Sequence, residues 1–417
     1  MRRAAMRRAM MATMVWMSLG SSSAWAQVPP PAPEAEAEED SPVSIGEGRL
    51  QLSGLFQVWL FNQFGEDTQG GESNLTSNFR IRRTELKLEG ALLKDLVEMG
   101  VMVDPAKLVL GTSALGDSRE VETLEDRDGD GVLDSARVPL YRANDSILQD
   151  LYVAFLPREH LRLKVGQFKR PLGYEGPRAA SLIVFDERSQ LSVRLSGDNR
   201  DIGLLATITL DAAKLKIDIG IFNGTPIGAS APGAAAPLSG INEADENAWK
   251  DVVLSVGAQP VDGLELGVSG LAGKEGRVNV PGPNLEPATD LRYGAWIRFA
   301  RGRIDLRTEA LFQSFDAYGV PYVPAGGVYV LGEYRVVDPL GLGLRYDYYD
   351  SNSETEGDRS VNHNVTLGAN WYIHSNNAKL QLAYTFSYEG DLSEIDTEEE
   401  SGQQADDTVV LVAQAAF

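Results

Sequence analysis

The chain has 417 residues, with 38 lysines and arginines against 60 aspartates and glutamates, for a formal charge of −22. So acidic a chain is a poor nucleic-acid partner, and the absence of cysteine excludes disulfides and thiolate metal centres. No stretch after residue 26 nears 18 consecutive apolar residues, so membrane-spanning helices are excluded there as well.

Residues 1–26 carry Arg2, Arg3, Arg7 and Arg8, then an apolar run from Ala9 to Leu19, then Ala24-Trp25-Ala26. Charge, apolar core and small-residue site in that order read as a secretory signal. A membrane anchor is the alternative, but the run falls short of the ~20 residues that span a bilayer. Cleavage after Ala26 leaves Gln27 as the new N-terminus and makes the remainder more acidic still. Segment 27–48 is rich in Pro, Ala and Glu, including Pro29-Pro30-Pro31 and the acids from Glu34 to Asp40. That composition cannot bury a core and reads as a leader. Residues 49–417 then form the main domain.

From Arg49 the pattern changes to period two. Residues 340–348 put Leu340, Leu342, Leu344, Tyr346 and Tyr348 on one parity and Gly341, Gly343, Arg345 and Asp347 on the other. Segments 214–221 and 380–388 repeat this alternation, the signature of a strand with one apolar face. Strands are expected over 49–62, 79–90, 96–103, 148–156, 161–168, 201–210, 214–222, 249–258, 264–273, 290–299, 303–314, 326–335, 340–349, 362–372, 378–388 and 407–417. The links alternate in length. Segments 91–95, 157–160, 211–213, 259–263, 300–302, 336–339 and 373–377 are short. Segments 63–78, 104–147, 169–200, 223–248, 274–289, 315–325, 350–361 and 389–406 are long.

A soluble sandwich also alternates apolar and polar residues, but has no reason to keep that order of links. An even strand count with short and long links in turn marks an outer-membrane barrel of about 16 antiparallel strands. A spanning strand needs only ~10 residues with alternate side chains to lipid, so a mean hydropathy of −0.19 is no obstacle. Short turns then face the periplasm, where the leader belongs, and long loops face outward. The last strand places Val409, Leu411, Ala413, Ala415 and the terminal Phe417 on one outward parity. Aromatics such as Trp59, Phe61, Tyr293, Tyr348, Tyr349, Trp371, Tyr372 and Tyr388 cluster towards strand ends, as expected of interfacial girdles.

A barrel this wide is not filled by its own wall and leaves an aqueous channel, so a loop must narrow it. Segment 169–200 is the candidate, with Lys169, Arg170, Arg178, Arg188, Arg194 and Arg200 against Glu175, Asp186, Glu187 and Asp198. A locally basic loop in an acidic chain points to an anion path, because a low-dielectric constriction focuses field lines. Arg188, Arg194 and Arg200 are assigned to the constriction and Arg82, Arg83 and Lys87 to the wall. The inward parities also carry Arg162, Lys164, Lys216, Arg292, Arg298, Arg303, Arg307 and Arg345, opposed by acids such as Glu85, Glu89, Asp218, Asp305, Glu309 and Asp347. A mixed polar lumen with neutralising pairs is the alternative.

Glu125-Asp126-Arg127-Asp128-Gly129-Asp130-Gly131-Val132-Leu133-Asp134 resembles a calcium loop. Asp126, Asp128, Asp130 and Asp134 would supply carboxylates and Val132 a carbonyl. Position twelve is Arg137, not the glutamate of an EF-hand, so a solvated acidic turn is the competing reading. No cofactor is otherwise required. An enzyme is not expected: the three histidines have no serine at short spacing on their strand face, and no G-x-S-x-G elbow is present.

Four motifs carry a family resemblance. Val165-Gly166-Gln167-Phe168-Lys169-Arg170-Pro171-Leu172-Gly173-Tyr174-Glu175 resembles the G-[KQ]-F-K-x-P-[FL]-G-x-E signature of the phosphate-selective porin O and P family. Phe79 to Gly90 is similar to its R-R-x-x-L-x-L-x-G strand, Glu187-Arg188 with Arg200-Asp201-Ile202-Gly203 to its E-R and R-D-I-G stretch, and Gly220 to Gly224 to its G-[VI]-F-N-G strand end. The resemblance spans about 79 to 224. It implies a sixteen-stranded, usually homotrimeric channel in the outer membrane of a double-membraned bacterium. Its basic path would fall on Arg82, Arg83, Arg188 and Arg200, admitting small hydrophilic solutes such as phosphate. The acidic total charge leaves two alternatives open: a general or cation-preferring porin, and a non-conducting structural or adhesive barrel.

Overall fold

The structure, a computed structural model, describes residues 43–45, 48–66, 73–93, 96–109, 120–125, 134–139, 147–197, 200–224, 249–275, 288–317, 320–351, 353, 361–389 and 407–417. The segment read as a signal, most of that read as a leader, and Asp126, Asp128, Asp130 and Val132 of the expected calcium loop lie outside the described residues. Asp134 opens a strand, Asp134–Pro139, that pairs with Glu120–Glu125 in a separate hairpin.

Sixteen strands form the wall. They are β1 (Gly48–Glu66), β2 (Ser73–Leu92), β3 (Val97–Val103), β4 (Leu148–Arg158), β5 (Leu161–Lys169), β6 (Arg200–Leu210), β7 (Leu215–Phe222) and β8 (Asp251–Val261). The chain continues as β9 (Leu264–Glu275), β10 (Ala288–Arg301), β11 (Ile304–Ala317), β12 (Val320–Val337), β13 (Leu340–Asp350), β14 (Val361–His374), β15 (Ala378–Glu389) and β16 (Asp407–Ala416). Each pairs antiparallel with its neighbour in sequence, and β16 pairs with β1, with Ala416 opposite Leu55 and Asp407 opposite Phe64. The sheet is therefore a closed antiparallel barrel. The terminal Phe417 completes the seam, exchanging backbone hydrogen bonds of 3.0 and 3.1 Å with Gly54.

All sixteen expected strands are present, and the differences lie in their lengths. Segment 315–325, read as a long link, is mostly strand: β11 runs to Ala317 and β12 starts at Val320. Gly319, Pro321 and Pro324 supply turn chemistry to the sequence, yet the ribbon simply continues. Segment 63–78 is shortened in the same way by β1 and β2.

The wall sorts residues opposite to a water-soluble protein. In β13, Leu344 is 52% exposed while Asp347 on the inner face is fully buried. Exposed Leu367, Leu382 and Ile297 repeat the outward apolar pattern on other strands. The girdle expectation needs one correction. Trp59, Tyr349 and Tyr372 are buried on the inner face, whereas Tyr293, Tyr346, Trp371 and Tyr388 are exposed outside. Adjacent strand residues point to opposite faces, so only one of Tyr348 and Tyr349, or of Trp371 and Tyr372, can reach the outer surface.

An arginine at the centre of the outer face should therefore be costly. Leu344→Arg is expected to lose about 2–4 kcal/mol, read as a lower urea midpoint for the barrel refolded in lipid vesicles, with unchanged stability contradicting the outward assignment.

Candidate functional site

The segment after β5 turns into the barrel instead of away from it. Lys169 ends the strand, and Arg170 pairs with Asp251 at the start of β8 (Nη1 to Oδ2, 3.0 Å). Gly173 has φ +74°, a conformation suited to glycine. Its N–H donates to Ser269 Oγ at 2.8 Å, and the Tyr174 N–H donates to Glu309 Oε1 at 2.7 Å. Beyond the next turn, Lys379 Nζ donates to the carbonyls of Ile183 (2.8 Å) and Ser181 (3.0 Å). Asn370 Nδ2 and Gln381 Nε2 both donate to Val184 O, at 2.9 and 2.7 Å. These wall side chains pair the carbonyls that a buried loop would otherwise leave unsatisfied.

Phe185 supplies the apolar anchor. A Cβ at Gly368 would meet its ring at 2.6 Å, so glycine there is a requirement of close approach. Val184, Phe185, Leu191 and Leu195 form a core with Leu311, Tyr329 and Leu331 of the inner wall. Leu191 and Leu195 sit on the short helix Gln190–Leu195, whose cap Ser189 accepts the Ser192 N–H at 3.1 Å. The helix C-terminal carbonyl of Leu195 accepts from Arg292 Nη1 at 2.9 Å.

Glu187 latches the loop to β2. Its carboxylate meets Arg82 at 2.7 Å and Arg83 at 2.9 Å. Arg83 also donates to Gln57 Oε1 at 2.7 Å. Burial alone would raise the Glu187 pKa, but Arg83, Arg82 and Arg188 outweigh it and hold the carboxyl well below the usual range. Arg188 turns back on its own loop, donating to Arg178 O at 2.8 Å and Glu175 O at 3.2 Å.

The loop leaves a cavity of about 550 Å³ between itself and the wall. It lies towards the short-turn end of the barrel, where Gln51, Asn377 and Phe417 reach it. Of the residues assigned from sequence, Lys87, Lys169, Arg178 and Arg200 line this cavity. Arg82, Arg83 and Arg188 are gathered at the latch instead, and Arg194 is exposed with its guanidinium 5.2 Å from the Tyr349 ring. Lys169 Nζ donates to Arg178 O at 3.0 Å, and Arg200 pairs with Asp150 at 2.7 Å.

Lys164 also lines the cavity, 3% exposed, with its Nζ 4.4 Å from the centre of the Tyr152 ring and 4.8 Å from that of Phe168. Sequence reasoning missed the aromatic lining, although Trp296 shares the inward parity of Arg292 and Arg298. A large aromatic between two inward arginines was the available signal.

No family model matches the chain, and no curated protein does. Solved structures of outer-membrane channels do. The outer membrane channel DcaP of Acinetobacter baumannii is similar at TM-score 0.56 and 13% identity, covering 90% of this chain and 100% of its own. An anion-selective porin from Comamonas acidovorans is similar at TM-score 0.55 and 13% identity, covering 89% and 100%. OmpT of Vibrio cholerae, an outer membrane protein solved in a trimer form, is similar at TM-score 0.52 and 12% identity, covering 89% and 99%. At these identities the likeness is one of fold: the chain has the sixteen-strand barrel of outer-membrane porins.

Glu187→Gln should cost about 1.5–3 kcal/mol of loop anchoring. The expected reading is larger and noisier single-channel openings; openings identical to wild type would remove Glu187 from the latch. A carboxyl with a lowered pKa contributes stability above the ordinary range, at about pH 4, that is lost as pH falls through its depressed value. Wild-type openings should therefore be steady from pH 7 to 5 and become noisy only in stronger acid.

Proposed function

We propose that the chain is a porin of the bacterial outer membrane, exported through its cleaved N-terminal signal, that lets small hydrophilic solutes diffuse with a preference for anions. The charge balance of the cavity supports the preference. Four of its carboxylates, Glu89, Asp150, Asp218 and Glu265, are each neutralised by an ion pair of 2.7–2.8 Å, with Lys87, Arg200, Lys216 and Arg298. Lys164 Nζ, in contrast, makes no ion pair or hydrogen bond among the described residues, and Asp150, the carboxylate whose field reaches it, is already paired with Arg200. The lining as a whole carries Lys87, Lys164, Lys169, Arg178, Arg200 and Lys216 against Glu85, Glu89, Asp150, Asp218 and Glu265, and between low-dielectric walls such an excess of cations favours anions.

The motif resemblance adds phosphate as a candidate solute and a homotrimer as the assembly, in keeping with the trimer form of Vibrio OmpT. The outward apolar band would face outer-membrane lipid. Calcium held by Asp126, Asp128, Asp130, Val132 and Asp134 would order an external loop without gating the channel.

The test is the reversal potential of single channels in a planar bilayer under a KCl gradient. A potential on the chloride side is expected, moving towards zero in Lys164→Gln. A potential on the potassium side would leave a general or cation-preferring porin. Folded protein without conductance would point to a structural barrel.

A further inference from the structure

The cavity wall carries more aromatic surface than an inorganic ion can use. Two cation and ring groups face the same space. On the strand side, Lys164 Nζ stands over the rings of Tyr152 and Phe168, which meet edge to face with centroids 6.5 Å apart. On the loop side, Arg178 donates to Tyr174 Oη at 2.6 Å and holds its guanidinium 4.7 Å from that ring. Tyr174 in turn lies 6.4 Å from Trp296, tilted by 32°. All six residues line the one cavity.

Lys164 is more than nine-tenths buried and aimed into that cavity, and its three donors find no acceptor among the described residues. Ring faces attract an ammonium but accept none of its hydrogen bonds fully, and a buried charge without a counter-ion is costly. The arrangement is complete when a passing anion supplies the acceptor. Trp296 and Tyr174 then offer a broad apolar face to whatever that anion carries behind its charge. Phosphate or chloride gains nothing from such a face, whereas a planar apolar body stacks on it and leaves water.

We infer that the cavity is a binding subsite for organic acids with a single anionic head and a flat apolar body, the head on Lys164 and the body on Trp296 and Tyr174. This rests on the anion-preferring reading above and narrows its solute class.

The experiment compares block of single-channel current by benzoate, acetate and inorganic phosphate added in turn to the refolded full chain. Benzoate should block at a concentration roughly tenfold below that of acetate, as one stacked ring allows, and below that of phosphate. Lys164→Gln should weaken block by both carboxylic acids. Trp296→Leu, or Tyr174→Leu where the first does not refold, should bring the benzoate-to-acetate ratio towards one. Equal block by benzoate and acetate in a wild-type channel with a chloride-side potential overturns this inference alone. A potassium-side potential overturns the anion reading on which it rests. A ratio unchanged in both aromatic variants would remove Trp296 and Tyr174 from the subsite.

Discussion

A strand edge in hydrocarbon has no water to satisfy its N–H and C=O groups, and the structure depends on how that constraint is met. The sixteen-strand wall closes on itself because β16 pairs with β1 along the seam and Phe417 adds the last hydrogen bonds, to Gly54. Closure decides the sorting of side chains. With lipid outside, the apolar parity must point outward, and charged side chains along the middle of the wall, such as Arg298, Arg307 and Asp347, are buried in the lumen. The buried arginines and carboxylates follow from the same topology as the exposed leucines.

Crowding charge into the lumen creates a second requirement, because each buried ion must find a partner. Most find one across neighbouring strands, as Arg298 does with Asp305 and Glu265. Others find one on the inward loop, whose backbone carbonyls accept from Lys379, Arg292 and Arg345. The loop is both a constriction and a counterweight to the wall. Lys164 stands apart from this pairing, and that exception gives the cavity its chemical character.

The fold was almost wholly legible, because period two and the alternation of short and long links survive in one sequence. Strand ends were less legible where Pro321 and Pro324 imitate a turn inside the β11–β12 ribbon. The loop was marked by its basic residues, but its wiring was not. Parity says that Arg83 points inward; it cannot say that Glu187, more than a hundred positions later, waits for it there. The arginines read as a solute path include three that gather at the latch, Arg82, Arg83 and Arg188. The residues that shape the cavity, Tyr174 and Trp296 among them, are aromatic and were not singled out by a search for charge.

The seat of Phe185 has a bearing on biogenesis. Its neighbours Gly343 and Gly368 belong to β13 and β14, and the carbonyl of Val184 is held by Gln381 of β15, 197 positions downstream. A chain emerging from its N-terminus makes the loop long before it makes the surface the loop docks on. Contacts so far apart pay their closure entropy late. The core around Phe185 therefore assembles only after the C-terminal strands exist, so that seating the loop and closing the wall depend on the same late part of the chain.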